Sequence, residues 1–140
     1  MSQTPLKPLP LPDDITSGYW EAARAGQLAV QYCPGCARHV HLPVDTCPCC
    51  DTTDLQWRTV SGRGTLYSYT VVHDAPAPGF ADSLPYIVGV VELAEQAGLL
   101  VTTNVVDADP GDLRIGLDLE VTFDELAPGT VVPQFRPRKA

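Results

Sequence analysis

Hydrophobic and polar positions follow three successive patterns along the chain. Residues 1–12 have none of the periods of regular structure: Pro5, Pro8, Pro10 and Pro12 are set among small and apolar residues, with Lys7 the one charge. That spacing predicts an extended arm, mobile or laid on a partner. Over the next stretch Ile15, Tyr19 and Ala23 recur every fourth residue with Trp20 alongside, the stripe of an amphipathic helix. Asp13 or Asp14 is placed to cap that helix, which runs to about Arg24 with Gly26 as its stop. Gly18 is the one residue in it that disfavours a helix.

From Leu28 the period shortens. Leu28–Tyr32, Val40–Pro43 and Leu55–Val60 read as short strands separated by cysteine pairs, and Ser61-Gly62-Arg63-Gly64 reads as a turn. Beyond it strand patterns dominate. Thr65–His73 is rich in β-branched and aromatic residues, and Tyr86–Leu93 and Leu99–Val106 flank a hairpin turn at Ala94–Gly98. Leu117–Phe123 alternates apolar with polar, and Val131–Phe135 closes the series. Together with the cysteine pairs, these patterns predict a mainly β chain with an arm at 1–12, a short N-terminal helix within 13–27, a rubredoxin-like zinc ribbon at 28–60, a five-stranded OB-fold barrel at 61–137 and a tail at 138–140.

Composition narrows the functions open to such a fold. Nine Lys+Arg against 17 Asp+Glu give a net charge of −8. Nucleic-acid binding is driven by basic residues that displace counterions, and anionic membrane surfaces attract the same residues. Between Asp74 and Glu125 there are eleven acidic residues and one basic, Arg114, so the aromatic residues Tyr67, Tyr69, Phe80 and Tyr86 have no basic groove to serve. The tyrosines are expected to pack the barrel and its rim. No apolar run approaches the roughly 20 residues of a membrane helix. Met1-Ser2-Gln3-Thr4-Pro5 lacks a basic segment followed by an apolar one, so the expected compartment is a reducing cytoplasm.

In such a compartment five cysteines point to metal rather than disulfides. Cys33-Pro34-Gly35-Cys36 and Cys47-Pro48-Cys49-Cys50 are two Cys-x-x-Cys knuckles, and four thiolates close a tetrahedron around one zinc. A shell filled by Cys33, Cys36, Cys47 and Cys50 leaves no open position for substrate, which makes the metal structural. Cys49 breaks the two-residue spacing and is left as a bystander thiol. His39 and His41 are the rival ligands, and iron is the rival metal. No catalytic set is visible: the neighbours His73 and Asp74 would face opposite ways on a strand, and Ser61, Ser68 and Ser83 lie in no nucleophile elbow.

The chain resembles the zinc-ribbon/OB-fold acyl-CoA-associated accessory proteins of bacteria and archaea, a family catalogued as a domain of unknown function. The resemblance runs from about residue 13 to 137. It rests on Tyr19-Trp20, the two cysteine knuckles, Leu55-x-Trp57 and Val60-Ser61-Gly62-Arg63-Gly64-Thr65-Leu66-Tyr67-Ser68-Tyr69-Thr70-Val71-Val72-His73. Pro85-Tyr86, Leu113-Arg114-Ile115-Gly116-Leu117 and Phe135-Arg136-Pro137 extend it. The resemblance implies a non-catalytic subunit that stabilises a thiolase-fold enzyme (thiolase, acyltransferase or retro-aldolase) in a heterotetramer or similar assembly and helps frame its CoA channel. A free-standing acyl-CoA carrier is the alternative, with a single-stranded nucleic-acid binder behind it. Basic residues for CoA phosphates are scarce; Arg38, Arg58 and Arg63 are the candidates. Trp20 and Phe80 are the expected anchors of a partner interface, since buried aromatics carry much of the energy of such surfaces.

Overall fold

In a computed structural model, which describes residues 7–139, one helix is followed by eight strands in two sheets. The expectation of an extended arm therefore falls in part, at residues 1–6, outside the described residues. α1 spans Ser17–Arg24, shorter at its start than the pattern predicts. The reason is local: the Asp13 carboxylate accepts from the N–H groups of Ile15 and Thr16 at 3.0 and 2.8 Å, so it caps a separate turn one step ahead of the helix. Ile15 consequently lies outside α1 and stays 39% exposed, whereas Ala23 is buried and Tyr19 packs on the core. Gly26, at φ +75°, ends the helix as expected. Gly18 has a packing role, because a Cβ there would run into the Trp57 indole. The residue that weakens the helix in isolation lets it sit flat on the next sheet.

That sheet is β2-β1-β3, formed by β1 (Leu28–Cys33), β2 (Arg38–Val40) and β3 (Gln56–Val60), all antiparallel. β2 starts and ends earlier than the Val40–Pro43 run suggests, because Cys33 and Arg38 pair across the first cysteine turn and fix the register. Leu42 is left 74% exposed. β4 (Arg63–Val72), β5 (Tyr86–Leu93), β6 (Leu100–Val105), β7 (Asp118–Ala127) and β8 (Thr130–Pro137) form a closed barrel in the order β4-β5-β6-β8-β7, the OB-fold. β5 alternates half-buried and buried at every step, as a strand with one face on a core must.

The glycines of the Ser-Gly-Arg-Gly turn close this barrel. Gly62 has φ +78°, and a Cβ would strike Val121. Its carbonyl accepts the Val121 N–H at 2.7 Å. At Gly64 a Cβ would lie 2.6 Å from the Glu92 carbonyl oxygen, so only glycine lets β4 approach β5 so closely. Leu28, Val30 and Val60 of the ribbon share one hydrophobic cluster with Leu66, Val91, Val101, Leu119 and Phe135 of the barrel. Polar contacts reinforce that junction. Gln96 in the β5–β6 turn accepts from the His39 N–H at 2.8 Å and donates to the His39 carbonyl at 3.1 Å, and the Glu95 carboxylate accepts the Ser61 N–H at 2.8 Å.

Candidate metal centre and docking groove

Cys33 closes β1 and Cys36 follows in the turn to β2, while Cys47 and Cys50 share the turn before β3. The four sulfurs lie within 4.8 Å of one another. Cys33 and Cys50 sulfurs are 3.5 Å apart, and Cys36 and Cys47 sulfurs 3.9 Å apart. A tetrahedron of Zn–S bonds of about 2.3 Å has edges of about 3.8 Å. The donor chemistry and the spacing therefore fit one zinc ion, which would cross-link the two turns and leave no coordination position for a reactant.

In each knuckle a backbone N–H points at the first sulfur, from the fourth position in one and from the third in the other. The Cys36 N–H points at the Cys33 sulfur at 3.4 Å, and the Cys49 N–H at the Cys47 sulfur at 3.5 Å. Each knuckle is followed by a left-handed residue, Ala37 at φ 55° and Asp51 at φ 60°, which turns the chain out of the site. Gly35 and Cys49 occupy equivalent places. A Cβ at Gly35 would rest 3.4 Å from the Cys50 sulfur, whereas the Cys49 side chain is exposed and stands apart from the group of four. Charge is unevenly shared among sulfurs so close. The N–H groups of Cys49 and then Cys50 bring the Cys47 thiol down to about 6, while the neighbouring Cys50 thiol drives Cys36 well above the usual range. Four thiolates are compatible here only around a cation.

Neither histidine joins this group. The His39 ring meets Tyr32 edge-on with centroids 5.1 Å apart, and the His41 ring lies 5.7 Å from that of Tyr19. Burial lowers the His41 pKa, and its Nδ1 is buried without a hydrogen-bond partner among the described residues. Gln31, 5% exposed in the middle of β1, donates to the Val44 carbonyl and accepts from the Val44 N–H, both at 2.8 Å. It thereby fixes the loop that delivers Cys47. The sequence carried a sign of this, a lone amide inside the apolar run Leu28–Cys33, since a buried amide must find partners.

The structure brings Trp20 and Phe80 to one groove of about 420 Å³, lined also by Tyr19, Tyr86, Asn104 and Gln134. Lys7, Pro8 and Pro10 of the arm form one side of it, with the Lys7 ammonium 5.5 Å from the centre of the Phe80 ring. Trp20 and Tyr19 meet edge to face at 4.9 Å. Sequence reasoning missed Asn104 and Gln134, because the groove is assembled from segments far apart in the chain. Tyr67 and Tyr69 are 55% and 37% exposed, so they belong to the rim and not to the packed interior. Arg38, Arg58 and Arg63 are exposed on three different strands. Arg58 is held in place, its guanidinium 3.6 Å from the centre of the Tyr32 ring and 3.3 Å from the Gln56 side-chain oxygen.

Comparison with known proteins follows the same division. Residues 20–56 match the family model described as "ChsH2, rubredoxin-like zinc ribbon domain", and residues 57–124 the one described as "ChsH2, C-terminal OB-fold domain". A protein of Thermomonospora curvata named "Probable enoyl-CoA hydratase alpha subunit" is 37% identical over 134 residues, 94% of this chain and 40% of that protein. A "DUF35 domain-containing scaffold protein" of Methanocaldococcus jannaschii is 35% identical over 92 residues, 65% of this chain and 63% of that protein. The chain thus spans less than two thirds of the length of either. A chain of the solved "Ltp2-ChsH2(DUF35) aldolase" superposes with a TM-score of 0.82 at 34% identity, covering 91% of this chain and 98% of that one.

Proposed function

Because the chain belongs to the ChsH2 (DUF35) family of zinc-ribbon/OB-fold proteins, we propose that it is the non-catalytic accessory subunit of a thiolase-fold enzyme acting on acyl-CoA thioesters. The observation that carries this reading is its near end-to-end likeness to a chain of an aldolase assembly. The geometry is compatible with it in two ways. The metal centre is a closed four-cysteine group that adds rigidity and no open coordination position. Trp20 and Phe80 share a groove with two further aromatic rings, a surface suited to a partner's side chains. On this reading the partner supplies the reacting groups, in a heterotetramer or similar hetero-oligomer. Arg38, Arg58 and Arg63 contact the CoA phosphates at the rim of the channel, with Arg58 oriented by Tyr32.

The test is a pull-down of the tagged chain from its native lysate, with zinc quantified on the same sample. Recovery of a thiolase-fold enzyme, with one zinc per chain, is the expected result. A chain recovered alone that binds acyl-CoA in calorimetry would replace this reading with that of a free-standing carrier. A chain recovered alone that binds single-stranded oligonucleotides, with a steep salt dependence, would replace it with that of a nucleic-acid binder.

A further inference from the structure

One strand of the barrel is paired on both sides for only part of its length. β4 pairs with β5 from Gly64 to Val72, but with β7 only from Arg63 to Thr65. One step further Leu66 donates to the Leu117 carbonyl and accepts from the Gly116 N–H, both within 2.9 Å. From Tyr67 to Val72 no backbone hydrogen bond among the described residues reaches that second edge. Alternate residues of an antiparallel strand turn their N–H and C=O groups to opposite sides, so this stretch offers a row of unpaired donors and acceptors.

Such edges are ordinarily blunted by a lysine, a proline or a covering segment, because they recruit other chains. Tyr67-Ser68-Tyr69-Thr70-Val71-Val72 has no charge and no proline, and its one irregularity is the bulge at Tyr67, where the stretch begins. Ser68, Tyr69 and Thr70 are all exposed. Tyr67 and Ile115, 55% and 63% exposed, flank the Leu66–Gly116 hydrogen bond and add apolar surface at that end. The surroundings are acidic. Asp118 pairs opposite Thr65 just before one end of the stretch, and at the other end β4 runs out into His73 and Asp74.

We propose that the open edge of β4 is a docking site for an extended segment of a partner protein, which adds to the barrel as a further strand. Unpaired backbone groups select an extended polypeptide, the uncharged centre selects β-branched or aromatic residues, and the acidic flanks select lysine or arginine at the ends. A second copy of this chain is the less suited occupant, since each carries −8. On its other side β4 borders β5, whose Tyr86 and Val88 line the Trp20–Phe80 groove, so the added strand lies across β4 from that groove.

The zinc-loaded full chain, mixed with a synthetic peptide of alternating valine and threonine with a lysine pair at each end, tests this by residue-resolved hydrogen exchange. The expected result is slowing of exchange by about tenfold or more within residues 67–72. The slowing is lost with a peptide N-methylated at alternate amides and weakened when glutamates replace the lysines. It is also lost in a Ser68→Lys, Thr70→Lys double variant that keeps its zinc. No slowing at about 1 mM peptide overturns the proposal. Equal slowing by the N-methylated peptide overturns strand addition, and equal slowing by the glutamate peptide overturns the basic partner. Slowing that grows with protein concentration alone makes a second copy the occupant and overturns it too.

Discussion

Replacing Gly64 with alanine puts a methyl group against the Glu92 carbonyl oxygen and a Val91 methyl, both 2.6 Å away. Backbone cannot swing aside as a flexible side chain can, so β4 must separate from β5. The expected cost is ~1–3 kcal/mol, read as a lower urea midpoint with zinc content unchanged. His41 gives a second prediction at this scale. Burial lowers its pKa from 6.5, so the unfolded chain takes up a proton before the folded chain does. Stability is therefore full above about pH 6.5 and falls as the pH drops below it. His41→Phe keeps a ring beside Tyr19 and should flatten that acid-side loss; a zinc-loaded variant with the same acid slope as the parent would exclude His41 as its source. The sequence marks the cysteines because a knuckle is a local pattern. It leaves the partner of Gln31 unmarked, because Val44 lies thirteen residues away and takes part only through its backbone.

At the scale of elements, the two knuckles end alike, each in a left-handed residue, and differ in chemistry. Cys47→Ser should abolish stoichiometric zinc binding and unfold the sheet β2-β1-β3, since the binding energy of a closed four-thiolate site is largely folding energy. Cys49→Ser, at the exposed position equivalent to Gly35, should retain zinc and stay within about 0.5 kcal/mol of the parent. Metal analysis beside circular dichroism separates the two, and a zinc-free Cys49→Ser would show that the fifth cysteine is a ligand. The strands were legible because period-2 alternation survives in β5 and because β-branched residues crowd β4. The ends of α1 and β2 were less so. A capped turn ahead of the helix and a pairing imposed across the cysteine turn decide them, and neither leaves a periodic trace.

For the whole molecule, the groove holding Trp20 and Phe80 is the surface on which the accessory reading stands or falls. Trp20→Ala and Phe80→Ala, singly and together, should each weaken co-purification with the proposed thiolase-fold partner, by ~2 kcal/mol or more where the residue is a centre of binding energy. Zinc content and the thermal midpoint report whether the fold survives. Undiminished recovery by the double variant would move the interface elsewhere on the chain. Among the described residues no helix is long and apolar enough to cross a membrane. This groove was not legible as a whole. The two aromatic residues proposed as its anchors can be picked from the sequence, but their neighbours on β5, β6 and β8 meet them only after the barrel closes.

The cluster in which Leu28, Val30 and Val60 interlock with Leu66, Leu119 and Phe135 has a further consequence. Two family models meet between residues 56 and 57, which invites treating the halves as parts to be traded. Severing the chain at Ser61–Gly64 would strip each half of apolar surface that the other covers, and would remove the Gln96 grip on His39. A chimera with the ribbon of one relative and the barrel of another should therefore be judged by whether its two parents fill these six positions alike. Parents that fill them differently should give a less stable product even where every cysteine is in place.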